Sequence, residues 1–567
     1  MTLKLAKNAD ILLISCPFWD LRWPPHGILH VHEALKAAGF DSVFQDINLF
    51  LHNNPHLHLG PGPTPQEVAE FHALWNAGSF GKWTQPDFVG SFSKIIDRIA
   101  TGVIAAQPRT VGFTLSSNNK LFSLELAKRL KKLRPALPII FGGYECFFPD
   151  ILPYYSDVPD YYVTGEAEEI APELLTALLR GSSEERTYSI PGVMINDPKG
   201  HSSYKPAIPP QNMDEIRYPR YEDVSLEDYT VKGGKYVWVE ASRGCNWGRC
   251  AFCTHPGEFR VRSPEHVMEE MRYLYHDHGV RRFSFSDQDV NNSPDTFMRL
   301  CRLIINEGMG KRISLYGQLR VSKQSDRLFF RTLRQAGFWL VDIGLESGSN
   351  RVLRLMKKGI SKELAERNIR AAKREGLLVG VNIIVGFPGE TYEDFVDTLK
   401  WLITMRPFLD RLGNVAGAIL MRASYMFEHS EKYGIESPLL DSDDTSLRTQ
   451  DATYDWRSKA DPGNTPANRS LRVQIVRRLV VPFGIDTGNP FAATGQLDIG
   501  AMAAPEQELW RFVEKELGQR LDPRHPSSVN TNLLTRTYHY YRRSGLISTL
   551  MTTLRFLPMI LRGRVWV

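Results

Sequence analysis

Short apolar runs alternate with helical stretches along most of this chain, and that alternation limits what it can fold into. A buried strand, a crossover helix and a second buried strand pack stably as a parallel sheet with helices on its faces. The first series comprises ILLIS (Ile11–Ser15), SVFQDIN (42–48), TVGFTLS (110–116), PIIFGG (138–143) and DYYVTGE (160–166). Helices are predicted over 27–38, ended by Gly39, and near 120–134. The expected product is a doubly wound α/β domain over residues 1–185, Rossmann-like in architecture. An insertion at 49–108, rich in His, Pro and Trp, reads as a loop packed over that domain. Its His52, His56 and His58 lack the spacing of a metal site.

A second series comes after a linker at 186–230. Strands are predicted at YVWVEAS (236–242), RRFSFSD (281–287), RISLYGQ (312–318), LVDIGLE (340–346), VGVNIIVG (379–386) and NVAGAIL (414–420). Helical stretches at 264–277, 294–306, 326–335, 362–375 and 392–405 lie between them. Six strand–helix units over 231–430 are too few to close a full barrel, so a partial (β/α)6 barrel is expected. Residues 431–567 are read as a mostly helical region that covers the substrate.

Both architectures bind ligands at the carboxyl ends of their strands. In the first series those ends carry Ser116, Ser117 and Asn118, then Gly142 and Gly143, then Thr164, Gly165 and Glu166. Missing Cβ atoms would admit a bulky ligand to the backbone. No G-x-G-x-x-G comes after the first strand, which argues against a dinucleotide. The alternative is a structural domain with ordinary loop glycines. In the second series the ends carry Asp287, Gln288 and Asp289; Gln318 and Arg320; Glu346, Ser347 and Gly348; and Gly386 with FPGE. Together they point to one site at the lip of the barrel.

The first barrel strand leads into ASRGCNWGRCAFCTH (241–255), which holds Cys245, Cys250 and Cys253. Three thiolates from one loop can bind three irons of a [4Fe–4S] cube and leave the fourth open. An amino group and a carboxylate can chelate that open iron together, as S-adenosylmethionine presents them. Arg320 could pair with the carboxylate, while Glu346 and Asp287 could accept from the ammonium or the ribose hydroxyls. The alternative is zinc with His255 as fourth ligand, although this spacing would need unusual wrapping. Cys16, Cys146 and Cys301 are scattered and read as small buried apolar residues, so no disulfide framework is expected. ILLIS is too short for a signal-peptide core, and a cytoplasmic protein is expected. With 69 Lys+Arg against 64 Asp+Glu, the charge makes no case for nucleic acid.

Several of these segments resemble the cobalamin-binding class (class B) of radical SAM enzymes. SRGCNWGRCAFC is similar to their cluster loop, DIGLESGSNRVLRLMKKG to their fourth-strand segment, and VGFPGET to their fifth-strand turn. CPFWDLRWPPHGILHVHEALKAAGF, VGFTLSSN, IIFGGYE and YVTGEAEE are similar to their cobalamin-binding domain. The resemblance runs to the end of the predicted barrel. It implies a [4Fe–4S] cluster on Cys245, Cys250 and Cys253. S-adenosylmethionine would be bound by Phe252, Asp287, Gln288, Gln318, Arg320, Glu346 and Ser347. Cobalamin would be held by Pro25, Gly27, Ser116, Asn118, Gly142, Gly143, Gly165 and Glu166. One departure is the four residues, Asn246 to Arg249, between the first two cysteines, where three are commonest. Gly248 is placed to absorb the extra residue in a turn. The D-x-H-x-x-G motif that supplies a histidine to cobalt is absent, which implies a corrin with its nucleotide tail in the sheet and no such ligand.

For such enzymes, one S-adenosylmethionine methylates reduced cobalamin. A second, cleaved at the cluster, gives the radical that activates the substrate carbon. The resemblance therefore implies C-methylation of a natural-product, lipid or peptide intermediate, with an external donor of the flavodoxin or ferredoxin type. The alternatives are radical oxidation, cyclisation or rearrangement, or an N-terminal domain that no longer binds corrin. Beyond 424–435, the polar, turn-rich stretch to Ser470 reads as a loop or lid, with a helix after it near 506–517. The tail from Leu533 is basic and amphipathic, fit for an anionic membrane surface, an acidic partner or packing on the barrel. Arg555 and Pro558 interrupt any membrane span there.

Overall fold

Strands β1 (Ile11–Ser15), β2 (Ser42–Asp46), β3 (Thr110–Thr114), β4 (Ile139–Gly142), β5 (Tyr161–Val163) and β6 (Val193–Ile195) form one sheet, in the order β2-β1-β3-β4-β5-β6. The computed structural model describes residues 5–480 apart from 76, 150–151, 153–157, 181–188, 197–203, 230–234, 255–256, 442–451 and 460, together with 485, 511 and 515. The first five strands pair in parallel. All five side chains of β1 are buried, as expected of a strand covered by helices on both faces. On one face, Leu35 of the helix His26–Ala37 and Leu174 of the helix Ala167–Leu179 pack with Leu13 and Ile140 in a single core. Each such leucine contributes roughly 1.5–3 kcal/mol on burial.

Two features of this half differ from the sequence reading. The linker contains β6, which pairs antiparallel with β5 and closes that edge of the sheet. Its three residues are too short to show a period. The insertion is helical rather than a loop: Pro65–His72 starts from a Thr64–Glu67 capping box, and Ser93–Ala106 buries Ile95, Ile96, Ile99 and Val103. His52 stacks on His72 with centroids 4.2 Å apart, and His58 on Phe92 at 4.4 Å.

The second sheet contains β7 (Tyr236–Val239), β10 (Arg282–Phe285), β11 (Ser314–Arg320), β12 (Phe338–Glu346), β13 (Leu378–Val385) and β14 (Arg411–Gly417). A two-stranded ladder of β8 (Ser242–Arg243) and β9 (Arg260–Val261) leads into and out of the cysteine loop. The order is β14-β13-β12-β11-β10-β7, so the two edge strands do not meet and the barrel stays open. Pairing from β10 to β14 is parallel throughout. Helices Pro294–Asn306 and Tyr392–Met405 have the predicted bounds.

Past the barrel, a helix, Pro466–Val480, begins in the last residues of the stretch read as a loop or lid and packs on β14 and on Tyr392–Met405. Its inward side includes Arg469 and Arg472, both buried, and charge on the buried face hides the helical period. Of the predicted helix at 506–517 only Arg511 and Lys515 are described, both helical, and the basic tail lies outside the described residues. No described helix is long and apolar enough to cross a membrane.

Candidate functional site

The cysteine loop is fixed by backbone bonds on both sides. Ala251 N–H donates to the Met356 carbonyl at 2.9 Å, and the Ala251 carbonyl accepts from Met426 N–H at 2.8 Å. Beneath it, Ala251 packs with Val352, Met356, Phe387 and Trp456 in a dry cluster, with Phe252 at its margin. Gly248 takes φ +53°, a left-handed turn that accommodates the fourth residue between Cys245 and Cys250. Asn246 ties the loop to the end of β10 through the Asn292 carbonyl at 3.1 Å, and the Cys245 thiol lies 4.0 Å from Asn292 Oδ1.

Burial raises the thiol of Cys250 and pushes that of Cys253 up to about 12. The positive charge of Lys358 opposes both shifts, and Arg320 also opposes that at Cys250. Each of these two thiols also feels Cys245, so the structure brings the three cysteines into one electrostatic neighbourhood. No set of three or more His, Cys, Asp or Glu side chains among the described residues is placed to grip a single ion. His255 lies outside them.

Lys358 is the residue the sequence reading missed. Its ammonium is buried and bonds Glu346 Oε1 at 2.9 Å. Burial would lower its pKa, yet the charges of Glu346, Cys250 and Asp289 hold it well above its ordinary value. Glu346 ends β12 at φ +74°, beside a shift in the β12–β13 register. A non-glycine residue is strained there, and the ion pair helps to hold it. Arg320, at the end of β11, donates to the Lys358 carbonyl and lies over the Trp247 ring at 4.2 Å. Trp247 donates from Nε1 to the Lys357 carbonyl at 3.0 Å. Asp289, half-buried, completes the group. Burial pushes its carboxyl up to about 6 against the opposing charges of Lys358 and Arg320. The signals were present: Trp247 between two cysteines, and a lysine in MKKG directly after the fourth strand's helix.

The other predicted barrel residues are arranged differently. Asp287 is buried, and burial pushes it up to about 7. Its two oxygens accept from Ala241 N–H and the Ser242 hydroxyl, so it clamps the start of the loop. Ser347 is fully buried, in contact with the Thr398 hydroxyl at 3.2 Å and accepting from Ser349 N–H. Gln288 and Gln318 are exposed. Phe252 lies 5.8 Å from the Lys358 ammonium, measured to the ring centroid.

In the first sheet the chain changes direction between β1 and β3, and ligands bind at such a switch point. The predicted residues stand at the carboxyl ends of four adjacent strands. Pro25 and Gly27 open the helix after β1, where a Cβ on Gly27 would meet nothing within 4 Å. Ser116 lies just past β3, its N–H bonded to Asn119 Oδ1 at 2.7 Å, and the Asn118 carbonyl accepts from Phe18 N–H at 3.4 Å. Gly142 ends β4, where a Cβ would come no nearer than 3.8 Å to its neighbours. Gly143 and Gly165 are used by the chain itself. A Cβ would fall 2.7 Å from the Leu115 carbonyl oxygen at the first and 2.7 Å from Ala207 Cβ at the second. Their missing side chains admit protein rather than leaving space for a ligand. Glu166 stands at the start of Ala167–Leu179. His26 Nε2 lies 3.1 Å from His30 Nε2, and His30 Nδ1 is 2.9 Å from the Arg217 carbonyl.

Residues 239–402 match the Radical SAM superfamily. An uncharacterized methyltransferase of Pyrococcus horikoshii is 28% identical over 52% of this chain and 64% of its own length. An anaerobic magnesium-protoporphyrin IX monomethyl ester cyclase of Rubrivivax gelatinosus is 25% identical over 62% of this chain and 64% of its own. The chain thus spans somewhat under two thirds of these curated relatives. The radical S-adenosylmethionine methyltransferase TsrM of Kitasatospora setae, solved with cobalamin and a [4Fe–4S] cluster, superposes with a TM-score of 0.63. That match covers 90% of this chain and 99% of TsrM at 19% identity, a likeness of fold.

Proposed function

We propose that this chain, which belongs to the radical SAM superfamily, is a cobalamin-dependent enzyme that methylates an unactivated carbon of a small-molecule or peptide substrate. The observation that carries the reading is that Cys250 and Cys253 share one neighbourhood with Cys245 and with buried Lys358, with Arg320 beside Cys250, at the carboxyl lip of an open barrel. Soft thiols facing two fixed cations suit a cluster whose thiolates bring negative charge. Bound there, the cluster supplies the electron that splits the sulfonium of S-adenosylmethionine, while cobalamin supplies a methyl carrier.

The chain's own residues bind and exclude. Arg320 is set against Trp247 and the Lys358 carbonyl, with guanidinium N–H groups left for a carboxylate. Glu346, pinned by Lys358, offers its remaining acceptor capacity to an ammonium or a hydroxyl. The apolar layer under Ala251 keeps water from the back of the loop. In the first sheet, Gly27 leaves open backbone at the start of the helix after β1, and Gly142 at the end of β4 is crowded only to ordinary contact by Val163, where a corrin tail would fit.

The test is anaerobic reconstitution with hydroxocobalamin, iron and sulfide, then turnover with methyl-labelled S-adenosylmethionine and candidate substrates. S-adenosylhomocysteine together with 5′-deoxyadenosine, and label in product, support methyl transfer. Deoxyadenosine alone overturns it in favour of ring closure or oxidation, a reading the cyclase relative favours. Negligible cobalt uptake would remove the corrin from either scheme.

A further inference from the structure

A cavity of about 720 Å³ lies beside the cysteine loop. Cys250 and Cys253 contribute to its wall, and Arg249, Arg354 and Lys357 bring positive charge to it. Glu428 is the only acid lining it among the described residues. Arg249 and Arg354 are exposed, and neither forms an ion pair with a described carboxylate. Lys357 lies over the Tyr425 ring at 3.0 Å, and exposed Lys432 approaches the same ring at 5.8 Å. The basic side chains therefore gather around Tyr425 and the outer turn of the loop. Arg320 and Lys358, which face the thiols, are held by other partners.

Positive charge at the outer rim gives no direct hold on a substrate carbon. It does suit a macromolecule of opposite charge that must come close to the thiol-bound centre without entering the barrel. We propose that this basic rim is the docking surface for an acidic one-electron carrier protein. The inference rests on the function proposed above, which needs an electron for each sulfonium cleaved. One electron leaves the carrier's flavin or iron–sulfur centre and one enters the cluster, with no atom exchanged. Charge complementarity of this kind governs encounter rate and salt dependence more than final affinity.

The experiment uses the full-length, reconstituted enzyme and reads the rate of S-adenosylmethionine cleavage. Electrons come either from reduced flavodoxin, an acidic protein, or from reduced methyl viologen, a small cation that needs no docking. With flavodoxin at low salt, the double variant Arg354→Glu/Lys432→Glu should lose about tenfold or more in kcat/KM. Added salt should slow the parent enzyme but not the variant. With methyl viologen the variant should be no slower than the parent, and Arg354→Gln should fall between the two with flavodoxin. Equal rates with flavodoxin would place the docking surface elsewhere. Loss with both reductants would assign the rim to an anionic substrate or to the fold, and would equally overturn the proposal. If the parent enzyme cleaves nothing even with methyl viologen, the proposed function fails instead.

Discussion

Lys358 and Glu346 meet at 2.9 Å with side chains about one-tenth exposed, in a place where neither charge has water to fall back on. Removing one partner of such a pair strands the other, a loss of about 3–5 kcal/mol. Lys358→Met should therefore lower stability by about that amount in urea unfolding, and Lys358→Arg by much less. Cys250 and Cys253 differ in kind, since burial favours their neutral thiols in the protein alone. Cys250→Ala and Cys253→Ala should leave the fold intact by circular dichroism yet abolish iron and sulfide uptake. Iron retained in both variants would remove the cluster from this loop. Of the residue-level reading, Arg320 and Glu346 were legible because they are charged residues at strand ends. Lys358 was harder to read: MKKG puts a lysine just after the fourth strand's helix, but spacing alone does not show that its ammonium is buried beside a carboxylate twelve residues earlier.

At the scale of elements, the helix Pro466–Val480 shows why the region after the barrel resisted prediction. Its buried face begins with charge, Arg469 and Arg472, before it turns apolar at Ile475, Val476 and Leu479. Arg472 meets Glu390 at 3.0 Å in the turn after β13, and Arg469 donates to the Tyr454 and Trp456 carbonyls. Burial outweighs the arginine's charge and pushes Glu390 up to about 7. The folded state thus holds the Glu390 proton more tightly than the unfolded chain does. This contribution to stability declines as pH rises from about 4.5 through about 7. Arg472→Leu removes the opposing cation and lifts Glu390 further. The variant's deficit should be small near pH 5 and grow to about 3 kcal/mol or more above pH 7, read by urea titration across pH. A deficit that does not change with pH would show that Glu390 is not the group stranded.

For the whole molecule, the chain divides into two compact units, one built mainly on residues to Trp238 and the other mainly on those from Val239 onward. Each contains a parallel sheet of its own, so thermal unfolding is expected to show two transitions in calorimetry. Hydroxocobalamin at about 100 times its Kd should stabilise the first unit by about 2.7 kcal/mol and leave the second transition in place. A shift of the second transition alone would put the corrin in the wrong unit. The doubly wound sheet was legible because strands buried on both faces read as unbroken apolar runs, and ILLIS is buried at every position. The open barrel was legible from six strand–helix units in succession. The insertion was misread on its His-, Pro- and Trp-rich composition, although Pro65 and Pro86 each begin a helix there.

The sequence by itself determined the two sheets, their open ends and the three-cysteine loop. These depend on local spacing: which residues are apolar, at what interval they recur, and which polar residues stand just past the last of them. Tertiary structure alone decided that the missing Cβ atoms of Gly143 and Gly165 make room for the chain itself, at Leu115 and Ala207. It also decided that Asp287 clamps the loop while Lys358 faces the thiols, and that basic side chains from three separate segments gather at one rim. Such outcomes depend on through-space distance between residues far apart in the chain. Burial and charge act over that distance, and no pattern along the sequence records it.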